Sequence, residues 1–364
     1  MNNISLTSRD ATALTEAAPA VAARRPAQRL PGIEGLRCIA ALCVLLLHAQ
    51  ANFGGKTLWN RGYLGVDFFL MLSGFLMARI QEPRFAAGIE AWPWLGRRYL
   101  RLWPMMAAGT ALGVLSGWTR CAGLADWIQT GVMSLALVPT LTHQFLFPFN
   151  VPAWTILLEL LCNAAHLFIF RHLRGGGLIV TLLGLGALML WVAIDHASLN
   201  VGATPGTLLP ALPRAGFAYA LGILMARAWT DRPSWPVPAF LALPLMPVLL
   251  VGFWWLGFRA GDPHAWWFDP LFVVLACPVM IAGGLRMRID GFGAGAARLA
   301  GQLSFPLFAL QMPVLEGVHL LGGNYWLAVA LALVAGAMGA VALAKGWRGL
   351  FAWTGIQKHT RGYS

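Results

Sequence analysis

The chain has 364 residues, of which 58% are apolar and only 11% charged, with a net charge of +12. So few polar groups cannot cover a soluble globule of this length, which excludes an ordinary soluble domain and makes the bilayer the natural solvent. The positive charge does not point to nucleic acid, because the Lys and Arg residues lie in connections between apolar runs rather than on one basic domain.

The first 32 residues are rich in Ala, Thr and Pro and carry Arg24, Arg25 and Arg29, without the apolar core of a cleavable signal. They read as a disordered cytoplasmic tail. From 33 to 345 the chain reads as one transmembrane domain, followed by a second cytoplasmic tail over 346–364. Its apolar runs approach the roughly 20 residues that cross a ~30 Å hydrocarbon core as helix. They show neither the alternation of a membrane barrel nor an internal repeat. The predicted fold is therefore all-α, a polytopic helical bundle of about ten spans, near 35–53, 64–81, 102–119, 153–170, 178–194, 207–227, 236–257, 265–284, 302–320 and 325–344.

Basic clusters at 9–37, 79–101, 171–174, 227–232, 286–298 and 345–361 hold 21 of the 26 Lys and Arg residues. The other five, Lys56, Arg61, Arg120, Arg214 and Arg259, fall in or beside the alternate connections, so both termini are expected in the cytoplasm. Three apolar segments lie between two clusters that both belong inside, and only an even number of crossings satisfies that. The segment 127–141 is short and begins with the polar run Asp126-Trp127-Ile128-Gln129, so it is expected to be interfacial or re-entrant. The five cysteines have no metal-ligand spacing, four lie in apolar segments, and they read as reduced, buried thiols with no metal expected.

Ionisable residues inside spans are costly and mark function. His48 lies in the first span, with Arg37 at the mouth of the same helix. Eleven residues come within about 20° of three full turns, which puts both on one face about 16 Å apart. An anion held at Arg37 would extend toward His48; the competing reading is a core histidine satisfied by a neighbouring carbonyl. Gly62 to Phe75 brings small residues, Asp67 and Ser73 into an apolar helix, predicting close packing on the first span. Capping and interhelical hydrogen bonding are an equal reading for Asp67 and Ser73. Arg98 and Arg101, leading from a cytoplasmic loop into the third span, share a helical face suited to phosphate, although positive-inside anchoring explains them too. Glu159 sits about one and a half turns into the fourth span, where packing alone does not explain a carboxylate. Glu316 and His319, three apart, read as a local pair.

Together these motifs resemble the acyltransferase-3 family of integral membrane acyltransferases. Ile33-Glu34-Gly35-Leu36-Arg37 leading to His48 is similar to its first-span signature, and Gly65-Val66-Asp67-Phe68-Phe69 with Ser73-Gly74-Phe75 to its second-span motif. Arg98-Tyr99-Leu100-Arg101 resembles the RxxR motif, Trp154-Thr155 to Glu159 the later Trp-Ser/Thr…Glu segment, and Leu303-Ser304-Phe305 with Pro313-Val314 the late motif. Cys38 stands where a glycine commonly follows the arginine, and Gln311 where many members have a histidine.

The resemblance implies a multi-pass protein of a bacterial inner membrane that uses acyl-CoA, by analogy acetyl-CoA, and a carbohydrate or glycolipid acceptor. Arg37, Arg98 and Arg101, with Ser73, would hold the donor. His48 would act as general base on the acceptor hydroxyl, and Glu159, or less readily Asp67, would orient the imidazole. The residues alone leave two other classes open: a transporter or flippase of a lipid-linked glycan or small anion, and an assembly subunit without chemistry. Acceptor and oligomeric state are not legible.

Overall fold

The computed structural model describes residues 30–54, 58–229 and 238–353, with side chains to 346. The expected tails over 1–29 and 354–364, and Lys56, lie outside the described residues. Among the described residues there are eleven helices and no strand: α1 Pro31–Phe53, α2 Leu64–Ala86, α3 Ala91–Ser116, α4 Leu124–Leu135, α5 Ala153–Phe168, α6 Gly176–Asp195, α7 Pro205–Ala228, α8 Ala239–Trp255, α9 Phe268–Arg286, α10 Gly291–Leu320 and α11 Tyr325–Gly346. Eight of them are long and apolar enough to cross a membrane. With the arginine-bearing α3 and the shorter α8, ten helices match the ten expected spans, and the chain is a polytopic helical membrane protein.

Three boundaries differ from expectation. Pro31 and Gly32 already belong to α1, where Pro31 occupies the first turn that lacks backbone partners anyway. Helix α3 begins at Ala91, eleven residues before the expected span, so Arg97, Arg98 and Arg101 stand within its first three turns rather than on a loop. The segment near 127–141 resolves into α4, whose 12 residues reach only about 18 Å, too short to cross; its remainder runs as an irregular segment into α5.

The bundle is organised by α1 against α10, α2 against α7, and α10 against α3. Most buried side chains form one continuous core, and a satellite group unites Ala41, Leu45 and Ala49 of α1 with Leu307 and Leu315 of α10 and Ala328 and Ala332 of α11. As the small residues predict, Gly62 and Gly65 approach α1: a Cβ on them would stand 2.3 Å from the Cys43 oxygen and 3.0 Å from the Ala40 oxygen. Gly74 instead packs on α7. Its Cβ would meet the Tyr219 oxygen at 2.1 Å, and a Cβ on Gly222 of α7 would meet the Met71 oxygen at 2.0 Å. Each glycine thus admits the backbone of the other helix, and lipid supplies no hydrophobic drive to replace that contact. Gly222→Ala is expected to cost about 1–3 kcal/mol by overpacking, read as a lower unfolding temperature in detergent. A variant that melts with wild type would show that the two helices separate without cost.

Candidate active site

The first polar group is built by three helices. Arg98, on the first third of α3, makes an ion pair with Glu159 of α5 and donates to the Ser73 hydroxyl of α2 at 3.1 Å. Ser73 in turn lies 3.4 Å from the same Glu159 oxygen. Packing of α5 against both α2 and α3 brings the three together. The Arg98 guanidinium also sits 5.8 Å from the Trp94 ring centre, one turn earlier on its own helix. Three of the expected site residues therefore meet at one point. Arg101, one turn further along α3, is exposed.

Arg37 is half-buried on α1 and within the electrostatic reach of Glu159, Glu34 and Arg98. No carboxylate among the described residues comes within 4 Å of it, unlike Arg61, Arg98, Arg120, Arg214 and Arg227, each of which is ion-paired. A half-buried guanidinium with carboxylates nearby but none in direct contact leaves its donors available to an anion.

His48, further along α1, is half-buried, with the Gln311 side chain of α10 as its polar neighbour. Its Nδ1 is buried without a partner. The expected pairing of this imidazole with Glu159 or Asp67 is not what the structure shows. Glu159 is taken by Arg98, and Asp67 accepts from Arg214 at 2.8 Å and 2.6 Å through both oxygens. The polar neighbour of the ring is thus a neutral amide rather than a carboxylate, and the Gln311 amide itself donates to the Phe308 carbonyl at 3.3 Å. The Asn52 amide, bonded to the His48 carbonyl at 2.9 Å and 3.7 Å from the Met312 sulfur, ties the same turn of α1 to α10.

The second polar network lies where α2 begins, and sequence reasoning did not assemble it. Arg214 of α7 bonds Asp67 and also donates to the carbonyls of Tyr63 and Val201 at 3.1 Å and 3.2 Å. Arg61 is ion-paired to Asp269 of α9, whose other oxygen accepts from the Tyr63 hydroxyl at 2.6 Å and the Leu199 amide at 2.7 Å. Arg61 and Arg214 are 1% exposed and both aspartates 0%. With every carboxylate oxygen accepting from at least one donor, this network is a structural clamp among α2, α7 and α9 rather than a site open to substrate. One signal was available: Asp269 is an acid inside an apolar run, and Arg61 and Arg214 are buried cations outside the basic clusters.

Glu316 forms its ion pair with Arg120 at 2.8 Å, not with His319, which instead stands edge-on to Phe53 at 5.2 Å. Arg120 sits in the turn after α3 and also donates to the Pro148 carbonyl, so it draws the end of α10 and the loop before α5 together. Ser304 and Thr155, from the expected late and Trp-Ser/Thr motifs, donate to the carbonyls three residues before them at 2.8 Å and 2.9 Å and are structural.

A family of acyltransferase domains, acyltransferase-3, matches residues 30–345. The "Protein 2 in picA locus" of Rhizobium radiobacter is 31% identical over 159 residues, covering 39% of this chain and 82% of that protein. The "Putative peptidoglycan O-acetyltransferase YrhL" of Bacillus subtilis (strain 168) is 38% identical over 61 residues, 17% of this chain but 9% of that larger protein. No solved structure matches. Of the three classes that the polar residues left open, a family match over nearly the whole described bundle selects the enzyme: the chain belongs to the acyltransferase-3 family and is an integral membrane acyltransferase.

Proposed function

We propose that the chain is an O-acyltransferase that moves an acyl group, by analogy acetyl, from acyl-CoA to a hydroxyl of a sugar or glycan acceptor, with His48 as general base. The observation that carries this reading is a cation without an ion-pair partner and an imidazole without a carboxylate on one helix. Arg37 and His48 share a face of α1 about 16 Å apart, and neither makes an ion pair with a carboxylate of the described bundle. An extended thioester donor has this shape, anionic at one end and reactive at the other.

In this reading Arg37 holds phosphate at the cytoplasmic end, and Arg98 joins it when phosphate competes with Glu159 for the guanidinium. Ser73 and Glu159 are positioning residues that keep Arg98 turned inward; Asp67 belongs to the structural clamp. A sugar hydroxyl has a pKa far above neutrality, so His48 removes its proton as the oxygen attacks the thioester carbon. The C–S bond breaks, CoA leaves as thiol or thiolate, and the imidazolium returns its proton. Gln311 stands beside the ring as an uncharged polar neighbour, which leaves the imidazole free to accept the hydroxyl proton. The N-terminus lies in the cytoplasm of a bacterial inner-membrane protein, which places Arg37 where acyl-CoA is made. The relative's name, a putative peptidoglycan O-acetyltransferase, supports a glycan acceptor and an acetyl donor.

The test needs no acceptor. Purified full chain in nanodiscs is expected to bind acetyl-CoA and release free thiol slowly by hydrolysis. Arg37→Ala is expected to weaken acetyl-CoA binding by roughly tenfold or more, the worth of a charge-assisted hydrogen bond of about 1.5–3 kcal/mol. If neither acetyl-CoA nor a longer acyl-CoA binds or stabilises wild type, the donor assignment is wrong.

A further inference from the structure

Four of the five cysteines are buried in apolar surroundings, and the exception, Cys121, is partly exposed in the connection between α3 and α4. It does not stand alone. The Cys121 sulfur, an Asp126 carboxylate oxygen and a His143 ring nitrogen all lie within 4.8 Å of one another. The three come from before α4, from its first turn and from the loop after it, so no spacing motif announces them.

The outer contacts are already in place. The His143 Nε2 lies 3.2 Å from the Asp126 Oδ2, while Nδ1 is 3.2 Å from the Thr142 hydroxyl. Asp126 Oδ2 accepts the Ala122 amide at 2.9 Å, and its Oδ1 takes the Thr130 hydroxyl at 3.4 Å. An imidazole fixed through one nitrogen, beside a carboxylate that is itself hydrogen-bonded, is the support that metal ligands need. A simple Asp–His surface pair has no use for a thiol at the same point.

We propose that Cys121, Asp126 and His143 form a binding site for a zinc-type divalent cation at the end of the bundle where α3 finishes. Thiolate, imidazole and carboxylate together suit zinc, whereas calcium and magnesium prefer all-oxygen sets. A tetrahedral ion with bonds of about 2.0–2.3 Å sets its ligand atoms roughly 3.3–3.8 Å apart. The Asp126–His143 separation is already at that scale, and Cys121 needs to move by about 1 Å at most. Three protein ligands leave the fourth position to water or to a substrate oxygen. The ion would join the chain before α4 to the loop after it, fastening α4 and the segment leading to Phe147, Phe149 and Asn150, which pack inside the bundle. This site is independent of the acyl-CoA reading, since none of its residues contacts Arg37, Arg98 or His48.

The experiment uses the full chain in detergent, tag removed, thiols reduced and metal stripped with EDTA, then given zinc. We expect one bound zinc per chain by elemental analysis after dialysis, and affinity at least tenfold weaker in Cys121→Ser and in His143→Ala. His196→Ala, outside the cluster, should bind as wild type. Cobalt(II) in place of zinc should give near-ultraviolet thiolate-to-cobalt charge transfer in wild type, a readout that needs no variant to fold. The proposal is overturned if stripped wild type takes up no stoichiometric zinc, or if the cobalt form lacks that band. It is equally overturned if both ligand variants keep wild-type affinity, or if His196→Ala is the variant that loses it.

Discussion

His48→Ala is expected to lower thiol release and acceptor-dependent transfer by roughly 10²–10⁴-fold, the range that a positioned general base contributes, while acetyl-CoA binding stays within a few-fold of wild type. The separation of the two effects follows from the geometry. Arg37 lies within electrostatic reach of Arg98 and Glu159, and His48 stands about three turns along α1 from Arg37. His48→Gln, which keeps a hydrogen-bonding side chain near Gln311, should preserve folding and share the loss of rate. The measurement is single-turnover thiol release beside equilibrium binding on the same preparations. A folded His48→Ala protein that transfers at the wild-type rate would remove His48 from the chemistry and leave Gln311 and Asn52 as plain helix-to-helix contacts.

Arg214→Ala is expected to destabilise the protein by about 3–5 kcal/mol, because it leaves Asp67 charged, 0% exposed and without its ion-pair partner. The practical readouts are a lower unfolding temperature and a smaller monodisperse fraction after solubilisation. Replacing both partners with apolar residues of similar volume, Asp67→Leu with Arg214→Met, should cost less than Arg214→Ala, since no uncompensated charge remains. Activity separates the two possible roles of Asp67. If the double variant folds and still releases thiol, Asp67 is structural; if it folds and loses turnover with donor binding intact, Asp67 acts in the chemistry and the clamp is only part of its work.

These two expectations differ in how they became legible. Arg37 and His48 lie on one helix, so sequence spacing converts directly into a shared face and a distance. The partner of Glu159 was not legible in that way. Its depth in α5 marked it as unusual, but whether it reaches His48 or Arg98 depends on how α5 rotates against α2 and α3. The same holds for Glu316, whose neighbour three residues along its own helix was the natural guess and whose actual partner, Arg120, comes from a turn almost two hundred residues earlier. Local pairs are short-range guesses, and a bundle with few charges matches them across helices because an ion left alone in a low-dielectric interior costs more than a long reach.

What the sequence by itself determined is the polytopic helical membrane fold, with α4 left short, and the family. Apolar run length and the need to satisfy every backbone group within lipid leave little else. It also placed His48 and Arg37 relative to each other, since a helix carries that geometry in its own period. Only the tertiary structure decided which carboxylate meets which arginine, that Gln311 rather than an acid sits beside His48, and that Cys121, Asp126 and His143 converge. Each of those depends on which faces of separate helices and loops turn toward one another. That choice is made by side-chain packing, such as the reciprocal approach of Gly74 and Gly222, and no single segment contains it.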